Sequence, residues 1–156
     1  METSSPSSQE SKVVFFSQDG LLELYEEEYN EKYLTEIFGS FLPTEKDRWI
    51  EGMDSVQRTV ETRVRYVGSN LHEAAARIMF SVIKGHKLSD GNKRSSILCM
   101  VGFYNINGYR TTFRPNHLYR KTKEVAALDS QTIDDEKEIG RLAAFLRKNV
   151  KPYDES

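Results

Sequence analysis

The chain carries one cysteine, four prolines, one tryptophan and three histidines in 156 residues. A lone thiol, Cys99, makes no internal disulfide, and this usage fits a reducing compartment. Cys99 sits in an apolar helical run and reads as a small core residue. No apolar run approaches the ~20 residues of a membrane-spanning helix. Met1 to Ser11 is polar and serine-rich, without the apolar centre of a secretory signal. The expectation is therefore a cytoplasmic protein with no membrane partner. Excess positive charge is also missing: 22 Lys and Arg stand against 24 Asp and Glu, for a net charge of −2 and a pI near 6.0. A dedicated nucleic-acid binder is usually basic, so no direct nucleic-acid binding is expected. The local basic stretch of Arg110, Arg114, Arg120, Lys121 and Lys123 reads as solvated surface. No Cys/His cluster has zinc spacing, and His72 and His117 read as surface residues near helix starts.

What is present is helical periodicity. The length suits one domain with a real core. Residues 1–12 read as a disordered leader, 13–150 as a single helical domain and 151–156 as a frayed tail. Val13 to Phe16 reads as a short extended piece. Asp19 is expected to cap a helix carrying Leu21, Leu22, Tyr25, Tyr29, Tyr33, Ile37 and Phe38 and stopped at Gly39, with its glutamates as a solvated face. Pro43 and Thr44 open a second helix through Trp49, Ile50 and Met53. Thr62 to Val67 alternates in polarity, Val64 and Tyr66 against Arg63 and Arg65, before the turn Gly68-Ser69-Asn70. That pattern predicts a short strand or flap. Asn70 with Glu73 resembles a capping box. Ala75, Ile78, Met79, Val82 and Ile83 then form an amphipathic stripe ending at Gly85. A wide apolar surface from about Asn92 to Ile106 predicts the central buried helix, closed by Asn107-Gly108. Further helices are expected from Pro115 or Asn116 through Leu128, and from Glu138 to Asn149. The fold class is all-α, a helical bundle with one short β-hairpin.

Between the two central helices lies the one segment rich in chemistry, His86-Lys87-Leu88-Ser89-Asp90-Gly91-Asn92-Lys93-Arg94. A helix starting at Gly91 or Asn92 aims its open N–H groups and the positive end of its dipole into the loop, which favours an anion. Gly91 allows close backbone approach. Arg94 can clamp phosphate oxygens bidentately, and Lys93 adds a point charge. Asp90 suits Mg²⁺, which binds through one or two carboxylates plus substrate phosphates. His86 can take a proton from a hydroxyl nucleophile. The plain alternative is a surface turn with Asp90 as a helix cap. Charge argues against it, because two cations at a helix N-terminus oppose the dipole.

The segment resembles the signature of the Fic/Doc (Fido) family, His-x-Phe-x-Asp/Glu-Gly-Asn-x-Arg. Lys93 in the variable slot is similar to the Doc-like, death-on-curing type of toxin domain, where Asn-Lys-Arg replaces Asn-Gly-Arg. Ala74-Ala75-Ala76, Phe103 with Asn107-Gly108-Tyr109, and Leu142-Ala143-Ala144-Phe145-Leu146-Arg147 are similar too, so the resemblance runs from Thr62 to Val150. It implies a Fido-type bundle around a central motif helix. It also implies that His86 deprotonates the target hydroxyl, that Asp90 positions Mg²⁺, and that Gly91 and Asn92 shape the anion loop. Lys93 would lie at the nucleotide, and Arg94 would neutralise charge developing in transfer. The family's flap, which aligns a target by strand addition, falls on Arg63, Val64, Arg65 and Tyr66.

The chain departs from the pattern at Leu88, where the family has Phe, and at Ile97, where adenylylating members carry a second arginine. The self-inhibitory motif, Ser/Thr-x-x-x-Glu followed by Gly or Asn, has no match: Thr132 to Glu136 has the spacing but continues with Lys137. The implied function is transfer of the γ-phosphate of ATP, or another nucleoside triphosphate, to a Ser, Thr or Tyr hydroxyl of a protein, a Doc-like toxin activity. The alternatives are AMP transfer (AMPylation) and an inactive Fido-like binding module. The implied partners are a target protein, with a translation factor as the family-level expectation, and an antitoxin-like inhibitory protein.

Overall fold

The computed structural model describes residues 13–26, 46–85, 92–129 and 134–154. These form six helices and a two-stranded sheet: α1 (Gln18–Glu26), α2 (Lys46–Val67), α3 (Leu71–Gly85), α4 (Asn92–Ile106), β1 (Tyr109–Thr111), α5 (Pro115–Ala127), α6 (Asp135–Arg147) and β2 (Val150–Pro152). The helical fold class agrees with the sequence expectation. The leader at 1–12, the helix continuation through Tyr29 to Gly39 and the Pro43–Thr44 helix start lie outside the described residues.

Two helices organise the rest. The apolar stripe of α3 is buried along its length, from Ala74 to Val82 and Ile83 except at Ser81. This helix packs on α2, α4, α5 and α6. Helix α4 is buried without interruption from Ser95 to Tyr104, as its wide apolar surface predicts, and its bounds agree with those read from the sequence. Its far end closes at Gly108, whose φ of +87° is a left-handed conformation that glycine adopts without a Cβ clash. Helix α1 lies so close to α4 that a Cβ on Gly102 would sit 2.7 Å from Leu24 Cδ1.

The caps show how sequence sets the ends. Ser17 Oγ accepts the Gly20 N–H at 3.0 Å, so Ser17 caps α1, and Asp19 lies within its first turn. The first turn has a better acceptor one step outside it than within it. Asn70 Oδ1 accepts the Glu73 N–H at 2.8 Å, which is half of the expected capping box; the Glu73 carboxylate turns instead to the Ser69 hydroxyl. Asp134 caps α6 by accepting from the N–H groups of Glu136 and Lys137. This helix therefore begins three residues before the expected Glu138.

Two expectations are corrected. Thr62 to Val67 is the last part of α2, not a strand or flap. Six alternating residues cannot exclude a helix, and a longer window shows why one forms. Met53, Val56, Gln57 and Val60 are buried, and Val64 packs against the core one turn further on. Thr62 Oγ1 donates to the Arg58 carbonyl, Arg65 pairs with Glu61, and Gly68 (φ +88°) ends the run. The second correction concerns the C-terminus, expected to fray from residue 151. Instead β2 pairs antiparallel with β1, with Arg110 opposite Lys151 and Tyr109 opposite Pro152. Buried Val150 and half-buried Tyr109 hold the inner face of this ribbon on the core.

Candidate functional site

Helix α3 ends at Gly85 and α4 begins at Asn92, so the chemistry-rich segment joins the two central helices. His86, Asp90 and Gly91 lie outside the described residues, as do Lys87, Leu88 and Ser89. Asn92, Lys93 and Arg94 form the first turn of α4 and are half-buried, whereas Ser95 and Ser96 are fully buried. The turn thus carries two half-buried cations followed by two buried hydroxyls. It contains no acidic residue, so nothing within it offsets the unfavourable meeting of cations with the positive helix end. Neither Asn92 nor Arg94 is without an interaction partner.

Both buried hydroxyls are hydrogen-bonded. The Ser96 hydroxyl donates to the Lys93 carbonyl at 2.6 Å. The indole Nε1–H of Trp49, on α2, donates to Ser95 Oγ at 2.9 Å, with both groups buried. Ile97, one turn beyond Arg94, is fully enclosed in the core. A second arginine at that position would have to bury its charge, and none is there.

Next to Gly85 a groove of about 430 Å³ opens between α2, α3 and α6. Val56, Phe80 and Ile139 line its apolar part. At its rim, buried Arg77 makes a two-pronged ion pair with Glu136: Nη1 meets Oε2 at 3.0 Å while Nη2 meets Oε1. Arg63 Nη2 adds a third contact to Glu136 at 3.3 Å. The hydrogen bond from Arg77 is the main cause that holds the Glu136 carboxyl below its ordinary range. Lys84, beside Gly85, donates to the Leu128 carbonyl at 2.6 Å and so caps the C-terminal end of α5 with a cation, the favourable sign there.

The proposed docking residues take other roles. Arg63 pairs with Glu136, Arg65 with Glu61, and Val64 packs on the core. Tyr66 is 79% exposed at the end of α2. Because their backbone is helical, these residues present no free strand edge. Sequence reasoning missed Trp49 and Ser95 as neighbours of the site, although a single tryptophan and a buried-side serine beside the motif arginine were visible.

The other histidines differ from each other. His117 is exposed and meets the Phe145 ring edge-on. His72, expected at the surface, is half-buried: its Nδ1 lies 2.9 Å from the Tyr104 hydroxyl, and its ring packs against Tyr104 and Tyr109. Burial, and secondarily Arg147, hold it below its ordinary pKa. Cys99 is buried as expected, and desolvation pushes its thiol up to about 12. Among the described residues no group of three or more His, Cys, Asp or Glu could hold a metal; Asp90 is not one of them. No helix among the described residues is long and apolar enough to cross a membrane.

A family model for the Fic/DOC family matches residues 15–104. The match spans α1 to α4 and the whole of the connecting segment from His86 to Arg94. It begins well before Thr62, where the sequence resemblance was expected to begin, and stops short of Val150. No curated protein and no solved structure matches the chain.

Proposed function

The chain belongs to the Fic/DOC family, and on that premise we propose that it transfers the γ-phosphate of ATP, or of another nucleoside triphosphate, to a serine, threonine or tyrosine hydroxyl of a target protein. The family in general carries out nucleotide-dependent modification of proteins. One observation carries the reading to this chain: the first turn of α4 holds two cations and no carboxylate at a helix N-terminus, directly after the segment bearing His86 and Asp90. A structural helix start would favour the opposite sign of charge.

In this reading His86 accepts the proton of the target hydroxyl, whose oxygen forms a bond to the γ-phosphorus. The bond from that phosphorus to the β–γ bridging oxygen breaks, and the nucleoside diphosphate leaves with the electron pair. Gly91, Asn92 and the open N–H groups of α4 receive phosphate oxygens, and Lys93 and Arg94 offset the negative charge. By residue type the segment suits Mg²⁺, which binds through one or two carboxylates together with substrate phosphate oxygens, and Asp90 would supply the carboxylate. When bound there it would neutralise phosphate charge. Two features favour the γ- over the α-phosphate. Lys93 crowds the region that glycine leaves open in adenylylating members, and Ile97, enclosed in the core, supplies no second phosphate clamp.

The proposed partners are the target protein, in the Doc-like case a translation factor, and a separate inhibitory protein, with the cytoplasm as the site of action. The geometry around Glu136 supports external restraint: its carboxylate is engaged by Arg77 and Arg63. The test is incubation of the protein, beside a His86→Ala form, with cell lysate and ATP labelled at either the α- or the γ-phosphate. His86-dependent label from γ is expected. Label from α alone would assign AMP transfer, and no label with ATP, GTP or CTP would leave a binding module.

A further inference from the structure

We propose that Trp49 is a positioning residue for the phosphate-receiving turn: its hydrogen bond to Ser95 holds the first turn of α4, and with it Arg94, ready for an anion. The proposal rests on the nucleotide-handling role of that turn.

The need for such a device follows from charge. Lys93 and Arg94 stand where the helix dipole is positive, and the first turn itself contains no acidic residue. A first turn is also the part of a helix with fewest internal hydrogen bonds. The geometry of this turn is therefore set largely by contacts made by its side chains, and anion binding depends on that geometry. Fraying would return Arg94 to a broad set of positions, and a nucleotide would then have to order the turn as it bound.

The structure opposes fraying from the core side. Ser95 follows Arg94 directly, and successive helical residues are set about 100° apart, so fixing Ser95 fixes the direction in which Arg94 leaves the helix. The Trp49 indole donates to Ser95 Oγ at 2.9 Å in a buried site. Trp49 is itself fully buried and packs against Tyr25, with ring centroids 5.3 Å apart. It is therefore a rigid donor fixed by a different helix. Trp49 reaches the turn through its hydrogen bond to Ser95, so it acts on Arg94 through that residue.

The experiment compares the full-length wild type with Trp49→Phe, Ser95→Ala and Ser95→Thr. Hydrogen exchange without ligand reads the turn directly, because the amides of Ser96, Ile97 and Leu98 close the first helical turn. They should exchange about fivefold faster in Trp49→Phe and Ser95→Ala, the effect of losing one ordinary hydrogen bond. Amides from Met100 to Tyr104 should be unchanged, and Ser95→Thr should restore the wild-type pattern. With Mg²⁺ and ATP, the KM for nucleotide should rise by the same factor while kcat at saturation holds. Since Trp49 is the sole tryptophan, its emission should also respond to Mg²⁺ and ATP in the wild type, and less in Ser95→Ala. A uniform rise in exchange along α4, or a wild-type KM in Ser95→Ala, would overturn the positioning role and leave the transferase reading intact. A wild type that neither binds nor uses nucleotide would overturn both.

Discussion

Glu136→Ala should destabilise the protein by about 1–2 kcal/mol at neutral pH, because it takes its two-pronged partner from a buried guanidinium and leaves it Glu73, 4.0 Å from Nε. The Arg77 side chain is only 8% exposed, and its Nε has no hydrogen-bond partner. Its two terminal nitrogens depend on Glu136. Removing one partner of a fully buried ion pair costs about 3–5 kcal/mol. Glu136 is 58% exposed, so water can enter where its carboxylate was, and the smaller figure applies. In a chain of this size that is a fall in Tm of roughly 2 to 8 °C. The sign of the pH dependence is fixed by the carboxyl being held below its ordinary 4.5, chiefly by the Arg77 hydrogen bond. Its contribution is complete above 4.5 and is lost as pH falls through the depressed native value. The gap between wild type and Glu136→Ala should therefore shrink in acid. Urea denaturation at neutral pH and well below pH 4.5 measures both effects. A gap under about 0.5 kcal/mol at neutral pH, or one that does not change in acid, would refute the reasoning.

Gly102→Ala should cost about 1–3 kcal/mol by forcing the buried Leu24 and Phe16 side chains to repack, since the new Cβ would meet Leu24 Cδ1 at 2.7 Å and Phe16 Cζ at 3.0 Å; unchanged urea denaturation would count against that close packing. His72 is held below 6.5 by burial and by Arg147, so the native state resists its protonation. Its contribution should be complete above pH 6.5 and decline below it as the unfolded chain takes up the proton. His72→Gln should flatten that part of the stability profile, and an unchanged slope would exclude this residue as its source. Cys99, fully buried with its thiol pushed up to about 12, should react with thiol reagents only at the rate of unfolding. Rapid labelling of the native protein would contradict its placement in the core.

Helix α4 was legible at both ends because local chemistry marks each: a cluster of polar residues at Asn92 and a left-handed glycine at 108. The end of α2 was misread because its evidence is spread over a longer window than the alternation at 62–67. The ribbon of β1 and β2 was hidden for a different reason. Each strand has three residues, and their pairing joins positions about 40 apart, from Thr111 with Val150 to Tyr109 with Pro152. At the site, residue types and spacing pointed to His86 as a candidate base, to Asp90 as a candidate metal ligand and to the cations Lys93 and Arg94, which the structure places in the first turn of α4. The contacts made across the helices could not be read locally: Trp49 reaches Ser95 across 46 positions, and Arg77 reaches Glu136 across 59. A motif is read from neighbouring residues, whereas contacts such as these are made by helix packing.

The central claim is that the segment from His86 to Arg94 moves a γ-phosphate to a protein hydroxyl. The most direct measurement is mass spectrometry of the target modified in lysate by the wild type, beside a His86→Ala control. The account predicts one phosphoryl group on a Ser, Thr or Tyr of a target, absent with His86→Ala. An adenylyl group at that position, or the same modification with His86→Ala, would contradict it.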